Sequence, residues 1–230
     1  MPEEINRVLT DHISNYLFCP TTVQQHILYG EGIIAKDIHV VGNTIVDAVM
    51  RNAAVSRSYF AESGHPLSGK EYFIATIHRP ENSDNKEKLE MIMKGLGAIS
   101  LHYNKPLLLP LHPRTQDCLK RFGIDTPAGV EIMGPKGYIE FLYLMENALA
   151  VLTDSGGIQE EACILRVPCV TLRNDTERPE TVEVGANRLA GSDPDLILDS
   201  LMLMMNSDKN WTNPFGDGNT GRRIIQILNA

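Results

Sequence analysis

From Tyr72 onward, short apolar runs alternate with longer stretches in which apolar residues recur about every 3.6 positions. The apolar runs are Tyr72–Ile77, Pro106–Leu111, Val130–Met133, Ala150–Thr153 and Pro168–Leu172. The stretches between them are Lys86–His102, Thr115–Phe122, Tyr138–Asn147 and Ile158–Arg166. This alternation is typical of βαβ units, in which helices join parallel strands. It predicts a doubly wound α/β domain with a parallel sheet, ending in helices at Asp195–Asn206 and Thr220–Leu228.

The segment before Tyr72 has a different pattern. Asn15–Cys19 and Asp37–Val41 are predicted strands on either side of a helix, Thr22–Tyr29. Two strands alone do not form a stable sheet in water, so they need further strands or another packing surface. They either extend the downstream sheet or end a domain whose earlier strands are outside this sequence. In the second case the polar run Arg51–Lys70 is an interdomain connection.

The composition argues against several classes of function. The net charge of −8 argues against binding to nucleic acid, which needs a basic surface. The longest apolar stretches are far shorter than the roughly 20 residues that span a bilayer, and the first residues lack the apolar segment of a secretory signal. We therefore expect a cytoplasmic protein that binds neither nucleic acid nor a membrane. Any anion must meet locally concentrated positive groups.

Two kinds of site have no sequence signature here. The four cysteines form no C-x-x-C pair and are expected to be buried thiols, rather than disulfides or zinc ligands. They are Cys19, Cys118, Cys163 and Cys169. His and acidic residues show no H-E-x-x-H spacing, and the G-x-G-x-x-G fingerprint of dinucleotide sites is absent. We expect no metal site and no nicotinamide.

Ionisable residues follow several predicted strands. Because ligands of open parallel sheets bind at the carboxyl ends of the strands, these loops should meet in one crevice. His78 and Arg79 follow the first strand, the turn 112–114 follows the second, and Arg178 lies in the loop after the fifth. Their convergence predicts an anion pocket. Each has an alternative reading on its own, since a histidine at a strand end is commonly structural and an arginine in a loop can be a solvated surface charge.

The segment 151–161 is the strongest single element. Ser155, Gly156 and Gly157 lie between a strand and a helix, where glycine lets the backbone approach a ligand and the helix N-terminus favours phosphate. Glu161, one turn into the helix, can accept hydrogen bonds from two vicinal ribose hydroxyls. The alternative is that Ser155 caps the helix and Glu160 and Glu161 complement its dipole.

Five motifs together resemble the non-hydrolysing UDP-N-acetylglucosamine 2-epimerase family. They are ATIHRPENSDN (75–85), LPLHPRT (109–115), LTDSGGIQEEA (152–162), RNDTERPETVEVGANRLAG (173–191) and PFGDGNTGRRI (214–224). The resemblance implies the glycosyltransferase-B architecture, two Rossmann-like domains with a nucleotide sugar between them. Residues 1–49 would be the tail end of the N-terminal domain, 50–70 the connection, and 71–230 the C-terminal UDP-binding domain.

The resemblance also implies a reaction and its residues. UDP is eliminated to leave a 2-acetamidoglucal and then adds back with inverted configuration at C2, without a cofactor. Ser155, Gly156 and Gly157 would hold the diphosphate and Glu161 the ribose, with Arg178 as a further ligand contact, Lys136 and Phe141 beside the uracil, and His78 as the active-site histidine near the sugar and phosphate. Two positions depart from the family: Lys136, where relatives can carry Gln, and Pro80, where Arg is commoner.

In this family the carboxylates thought to move protons at C2, and the basic residues of the first phosphate loop, lie before the point where this sequence begins. Losing a positioned acid or base typically costs 10²–10⁴-fold per group, so we expect the 230-residue chain alone to have little activity. It would be an artificially shortened chain, an incomplete gene product or one half of a split enzyme. Its partners would be UDP and UDP-N-acetylhexosamine, with a second copy in a homodimer or a separate N-terminal half.

Three other functions remain open from the sequence. A hydrolysing relative would release free N-acetylmannosamine. A glycosyltransferase of the same architecture would need an acceptor pocket, and the joint presence of HRPEN and TERPE argues against it. A non-catalytic nucleotide-sugar sensor would bind the ligand without turning it over.

Overall fold

The computed structural model describes residues 2–33 and 38–229. The helices are α1 (Pro2–Ile13), α2 (Thr22–Gly30), α3 (Thr44–Ser63), α4 (Pro80–Ser83), α5 (Lys86–Tyr103), α6 (Pro113–Phe122), α7 (Tyr138–Glu146), α8 (Gly156–Leu165), α9 (Pro179–Glu183), α10 (Pro194–Met205) and α11 (Thr220–Leu228). The strands are β1 (Leu17–Cys19), β2 (Ile38–Val40), β3 (Phe73–Thr76), β4 (Leu107–Pro110), β5 (Val130–Met133), β6 (Val151–Thr153), β7 (Cys169–Thr171) and β8 (Asn187–Leu189). The chain divides into a smaller region, residues 1–50 with 213–230, and a larger region, residues 51–212.

The larger region contains a six-stranded parallel sheet in the order β5-β4-β3-β6-β7-β8. Its first strand, β3, is central: the chain adds β4 and β5 on one side and then returns to add β6, β7 and β8 on the other. Thr76 of β3 pairs with Thr153 of β6, and Thr153 pairs with Thr171 of β7. The strand order therefore reverses between β3 and β6, which is where open α/β sheets bind ligands.

Helix packing on this sheet follows from residue spacing. Helix α5 buries Leu89, Ile92, Leu96 and Ile99 at intervals of three and four residues, as one face of a helix requires. It packs against α10, and a Cβ built on Gly95 would lie 3.0 Å from Ile197 Cδ1. Glycine at this position lets the two helices approach closely.

The smaller region is built around the parallel pair β1 and β2, with Leu17, Cys19, Leu28 and Ile38 as its buried cluster. Helix α11 begins where the Asp47 carboxylate accepts hydrogen bonds from the N–H groups of Thr220 and Gly221, at 3.1 and 3.0 Å. Asp47 thus satisfies two of the N–H groups that a helix start leaves without intrahelical partners.

The α/β class, the parallel sheet and its five predicted strands are confirmed, with ends shifted by at most one residue. The strands before Tyr72 form a separate sheet and do not extend the large one; Asp37, the predicted start of the second, lies outside the described residues. Helix α3 runs through the first part of the predicted connection from Arg51 to Lys70, as far as Ser63, with Ala53 and Ser56 buried. That this run connects two domains stays a prediction.

The C-terminal segment 213–230, which the sequence analysis assigned to the second domain, clusters with residues 1–50. The assignment of residues 1–49 to the tail end of an N-terminal domain, 50–70 to a connection and 71–230 to a C-terminal UDP-binding domain stays a prediction. The four cysteines are buried free thiols, as expected. Within the described residues, the search for membrane spans finds no helix that combines the necessary length and apolar character.

Candidate functional site

The carboxyl ends of β3 and β6 carry the central part of the site. The hydroxyls of Thr76 and Thr153 lie 2.7 Å apart across the two strands. Thr153 Oγ1 also accepts a hydrogen bond from the Ser155 N–H at 3.0 Å. These bonds fix the turn that leads from β6 into α8, so the next residues of both loops are held side by side.

A buried carboxylate orients His78. The Asp154 side chain is fully buried, and its Oδ1 lies 2.8 Å from His78 Nδ1. The backbone N–H groups of His78 and Arg79 and the Asn82 side-chain amide also donate to this carboxylate, at 3.0 to 3.1 Å. These donors compensate the burial of the carboxylate. The His78 ring is half exposed. Because Nδ1 lies against Asp154, the other ring nitrogen, Nε2, is directed away from that bond.

Sequence reasoning named His78 but gave Asp154 no role. The signal that could have found it is the strand register: pairing of Thr76 with Thr153 places residue 154 beside residues 77 and 78. That register requires β3 and β6 to be neighbours, and they are separated by two other strands in the chain.

The N-terminus of α8 is open. Ser155 occupies the N-cap position, but its side chain makes no capping hydrogen bond, so the reading of Ser155 as a side-chain cap is wrong. Neither Gly156 nor Gly157 has a positive φ. A Cβ on Gly156 would meet Glu177 Oε2 at 3.5 Å, and one on Gly157 would meet Ser155 Oγ at 4.0 Å. Backbone conformation and packing therefore do not require these glycines, which leave space over the first N–H groups of the helix.

Glu161 of α8 is a buried acid whose carboxylate is contacted by a tyrosine of α7. Its side chain is 8% exposed, and Tyr138 Oη donates to its Oε1 at 3.1 Å. Burial raises the pKa of Glu161 to about 6, the hydrogen bond from Tyr138 lowers it, and the neighbouring charge of Glu160 raises it. Sequence reasoning identified Glu161 and missed Tyr138, because only the tertiary approach of α7 to α8 joins them.

The guanidinium groups along this edge of the sheet are paired with acids. Arg178 Nε lies 2.9 Å from Glu160 Oε1, in ion-pair contact without the angles of a hydrogen bond. Arg79 Nη2 lies 3.5 Å from Glu177 Oε1. Arg173, only 8% exposed, contacts Glu81, Asp175 and Glu177 at 2.8 to 2.9 Å. The expected concentration of positive charge is therefore largely neutralised, and the α8 N-terminus supplies the remaining positive polarity.

A hydrogen bond to Gln159 of α8 fixes the loop that carries Arg178. Thr176 Oγ1 donates to Gln159 Oε1 at 2.5 Å and accepts from the Arg178 N–H at 2.9 Å. Asn187 of β8 donates to the same Gln159 oxygen at 3.2 Å. Arg178 then begins α9, with Pro179 as its first helical residue. The fixed backbone places Arg178 close to the start of α8.

Other predicted residues lie differently. Lys136 Nζ bonds Glu140 Oε1 at 2.8 Å, and both line a cavity of about 810 Å³ with His65. Phe141 is half buried one turn after Tyr138. His112 begins α6, where its Nδ1 accepts from the Arg114 N–H at 3.3 Å, and Arg114 pairs with Asp84. The 112–114 turn thus has a structural role.

The model of the UDP-N-acetylglucosamine 2-epimerase family matches residues 1–229. A UDP-N-acetylglucosamine 2-epimerase of Methanocaldococcus jannaschii is 49% identical over 99% of this chain, which spans 64% of that relative. A UDP-2,3-diacetamido-2,3-dideoxy-D-glucuronate 2-epimerase of Pseudomonas aeruginosa is 39% identical, with 99% of this chain and 63% of the relative aligned.

A crystal structure of the M. jannaschii enzyme in complex with UDP-GlcNAc and UDP matches the fold with a TM-score of 0.88, over 100% of this chain and 65% of that one. The chain accordingly spans just under two thirds of the length of these relatives. With its motifs, its parallel sheet and a family match over nearly every residue, the chain belongs to the UDP-N-acetylglucosamine 2-epimerase family.

Proposed function

We propose that this chain supplies the UDP-binding part of an enzyme that interconverts UDP-N-acetylglucosamine and UDP-N-acetylmannosamine. The observation that carries the proposal is the open start of α8 at the reversal of strand order, with glycines that neither packing nor conformation requires. A diphosphate fits there because backbone N–H groups and the helix dipole both favour an anion.

The remaining contacts follow the order of the nucleotide. Ser155, Gly156 and Gly157 hold the diphosphate, and Glu161, five residues into α8, accepts from the ribose hydroxyls. Phe141 lies beside the uracil, and Lys136 contributes there through its backbone, since its side chain is bound to Glu140.

Arg178 Nε contacts Glu160 and its Nη1 donates to the Glu177 carbonyl, and the guanidinium exchanges one of these contacts for phosphate when the ligand binds. Its fixed backbone limits this exchange to a change of side-chain rotamer. The guanidinium is therefore a second anchor, after the backbone N–H groups of α8.

His78 acts next to the bond that breaks. Elimination removes the C2 proton and releases UDP from C1, leaving a C1–C2 double bond. Re-addition returns UDP to C1 and a proton to the opposite face of C2, so only the configuration at C2 is inverted. With its Nδ1–H donated to Asp154, the His78 ring presents Nε2 to the ligand. When Nε2 also carries a proton, it donates a hydrogen bond to the departing phosphate and stabilises the charge that develops there.

The names of the two relatives agree on the nucleotide and differ in the sugar. Both names contain UDP, and the relative with the higher identity is named for UDP-N-acetylglucosamine. We assign this sugar to the present chain on that difference. Because the chain spans 63% to 64% of those relatives, groups beyond these residues complete the reaction, from a longer form of the chain in a homodimer or from a separate polypeptide.

Two measurements on the purified 230-residue chain test the proposal. UDP should bind more tightly than ADP in calorimetry. UDP should also raise the melting temperature, with about 2.7 kcal/mol of stabilisation at 100 times its Kd. Incubation with UDP-N-acetylglucosamine in D₂O, followed by NMR, should give little deuterium at C2. His78→Ala should weaken UDP binding, and the matched control His112→Ala, another strand-end histidine, should not.

Absence of UDP binding at millimolar concentration would overturn the proposal. Rapid C2 exchange would mean that the chain alone has the complete proton-transfer apparatus. Free N-acetylmannosamine as product would instead identify a hydrolysing enzyme.

A further inference from the structure

The Tyr138 hydroxyl is the one polar group from α7 that the structure brings to Glu161 within the described residues, at 3.1 Å from Oε1. Tyr138 is the first residue of α7 and is 41% exposed, whereas Glu161 is 8% exposed. A tyrosine ring this exposed contributes little to a core. Its hydroxyl nevertheless points to a buried carboxylate, which indicates a role at the site.

The surroundings of Glu161 oppose its ionisation. Burial and the charge of Glu160 raise its pKa, and the hydrogen bond from Tyr138 works against them. The charge of Glu160 is itself paired with Arg178. The groups that face the Glu161 carboxylate are therefore Tyr138 from α7 and Glu160 from α8. Of the two, Tyr138 favours the ionised form, which can only accept hydrogen bonds.

An ionised carboxylate offers about four lone-pair positions on two oxygens. With Tyr138 on one side of Oε1, the carboxylate is fixed in orientation and still has acceptors for two vicinal hydroxyls. We propose that Tyr138 is a positioning residue that holds Glu161 as an oriented acceptor for the ribose, and so sets the preference of the site for UDP over 2′-deoxy-UDP. This inference rests on the proposed UDP site.

The preference arises because the missing 2′-hydroxyl leaves a desolvated acceptor unpaired, which is what separates close analogues in hydrogen-bonding sites. A loosely oriented or protonated Glu161 would lose much of this discrimination. The phenol therefore acts on specificity through Glu161.

The test is a calorimetric titration of the full chain with UDP and 2′-deoxy-UDP between pH 5 and 8. We expect the original chain to prefer UDP by about 10-fold or more at pH 8, with the preference falling as pH drops through the pKa of Glu161. Tyr138→Phe should reduce the preference to within about 3-fold and shift its midpoint to higher pH. Tyr143→Phe, on the same helix but packed against Phe60 and His65, is the matched control and should change neither.

Glu161→Gln separates position from charge, because the amide keeps the shape and cannot ionise. Its preference should be small and independent of pH. If Tyr138→Phe leaves both the preference and its midpoint unchanged, or if the original chain binds both nucleotides equally, the inference is wrong while the UDP site stands. If the original chain binds no UDP, the proposed function fails instead.

Discussion

The larger region of the chain has an extensive hydrophobic core, whereas the described residues of the smaller region bury fewer apolar side chains. In residues 51–212, strands and helices bury a continuous cluster that includes Phe73, Leu107 and Leu152, all fully buried. In residues 1–50 with 213–230, the comparable cluster contains Leu17, Cys19, Leu28 and Ile38. Apolar side chains of this region remain exposed, among them Ile5, Leu9, Ile13, Ile225 and Leu228.

The difference indicates that the two regions depend on different sources of stability. Burial of apolar area dominates folding, so the larger region can be stable by itself and keep a precise ligand site. A two-stranded sheet with an exposed apolar helix face lacks that source. We therefore expect substitutions in the two regions to separate stability from ligand binding.

Core truncation should show the largest contrast. Leu152→Ala removes a fully buried side chain from the central strand β6 and should cost about 2–5 kcal/mol. Leu28→Ala, in the small cluster, should not change the unfolding of the larger region. Urea denaturation followed by Trp211 fluorescence measures this, since the single tryptophan is buried there with its indole N–H bonded to the Cys163 carbonyl. Equal shifts of the Trp211 transition would mean that the regions unfold as one unit.

Two glycines should dissociate binding from stability. Gly157→Ala places a methyl group over the α8 N-terminus and should weaken UDP binding on the order of 10-fold, about 1.4 kcal/mol, with little change in melting temperature. Gly42→Ala should do the opposite. Gly42 has φ +96°, and its Cβ would lie 2.7 Å from Thr220 Oγ1 and 3.0 Å from the Phe215 carbonyl oxygen, so the smaller region should lose more than about 1 kcal/mol. Retained UDP binding in Gly157→Ala would remove the α8 N-terminus from the proposed site.

A rise in pH should change the free energy of unfolding in opposite directions in the two regions. The folded pKa of Glu161, about 6, is above its reference value of 4.5, so its ionisation lowers stability as pH rises through this window, by about 2 kcal/mol at most. Glu161→Gln should therefore be more stable than the original chain at pH 7 and lose that advantage below pH 4.5. Asp217, in the smaller region, has a pKa lowered by Arg223, so Asp217→Asn should lower stability slightly at pH 7 and have no effect in strong acid. Thermal unfolding across pH 4 to 8 tests both signs.

Lys136→Gln should have the smallest effect. The ammonium pairs with Glu140 in a partly exposed contact, which is worth about 0–1 kcal/mol. Because the side chain bonds to Glu140 and not to the groups near Glu161, UDP affinity should change less than about 3-fold. A larger loss by calorimetry would place the Lys136 side chain on the nucleotide.

The sequence predicted best those elements that bury both faces. Residues 72–77 form a continuous apolar run because helices cover both sides of a parallel sheet. Strand β8 was not predicted because its sequence, Asn-Arg-Leu, is not apolar. Asn187 is instead held by the strand pairing with β7 and by the Thr171 hydroxyl at 2.9 Å. The helix across residues 51–63 was hidden by its polar exposed side.

At the site, the loops after the strands were found because chain direction alone places them at one edge. The relations between loops were not found. Asp154 meets His78 only if β6 adds beside β3, and Tyr138 meets Glu161 only once α7 and α8 pack. The ion pairs of Arg79, Arg173 and Arg178 likewise depend on side-chain packing, which residue spacing in a loop does not specify.

The paired arginines also determine how the site meets its ligand from a distance. An acidic chain with internally neutralised cations projects little attractive field, so electrostatic steering of a dianion should be weak. At the proposed site the attraction would be short-ranged and would come from backbone dipoles at the start of α8. Association would then be no faster than the unsteered rate and would rise as salt screens the repulsion from the acidic chain, and the protein would recognise UDP mainly by contact.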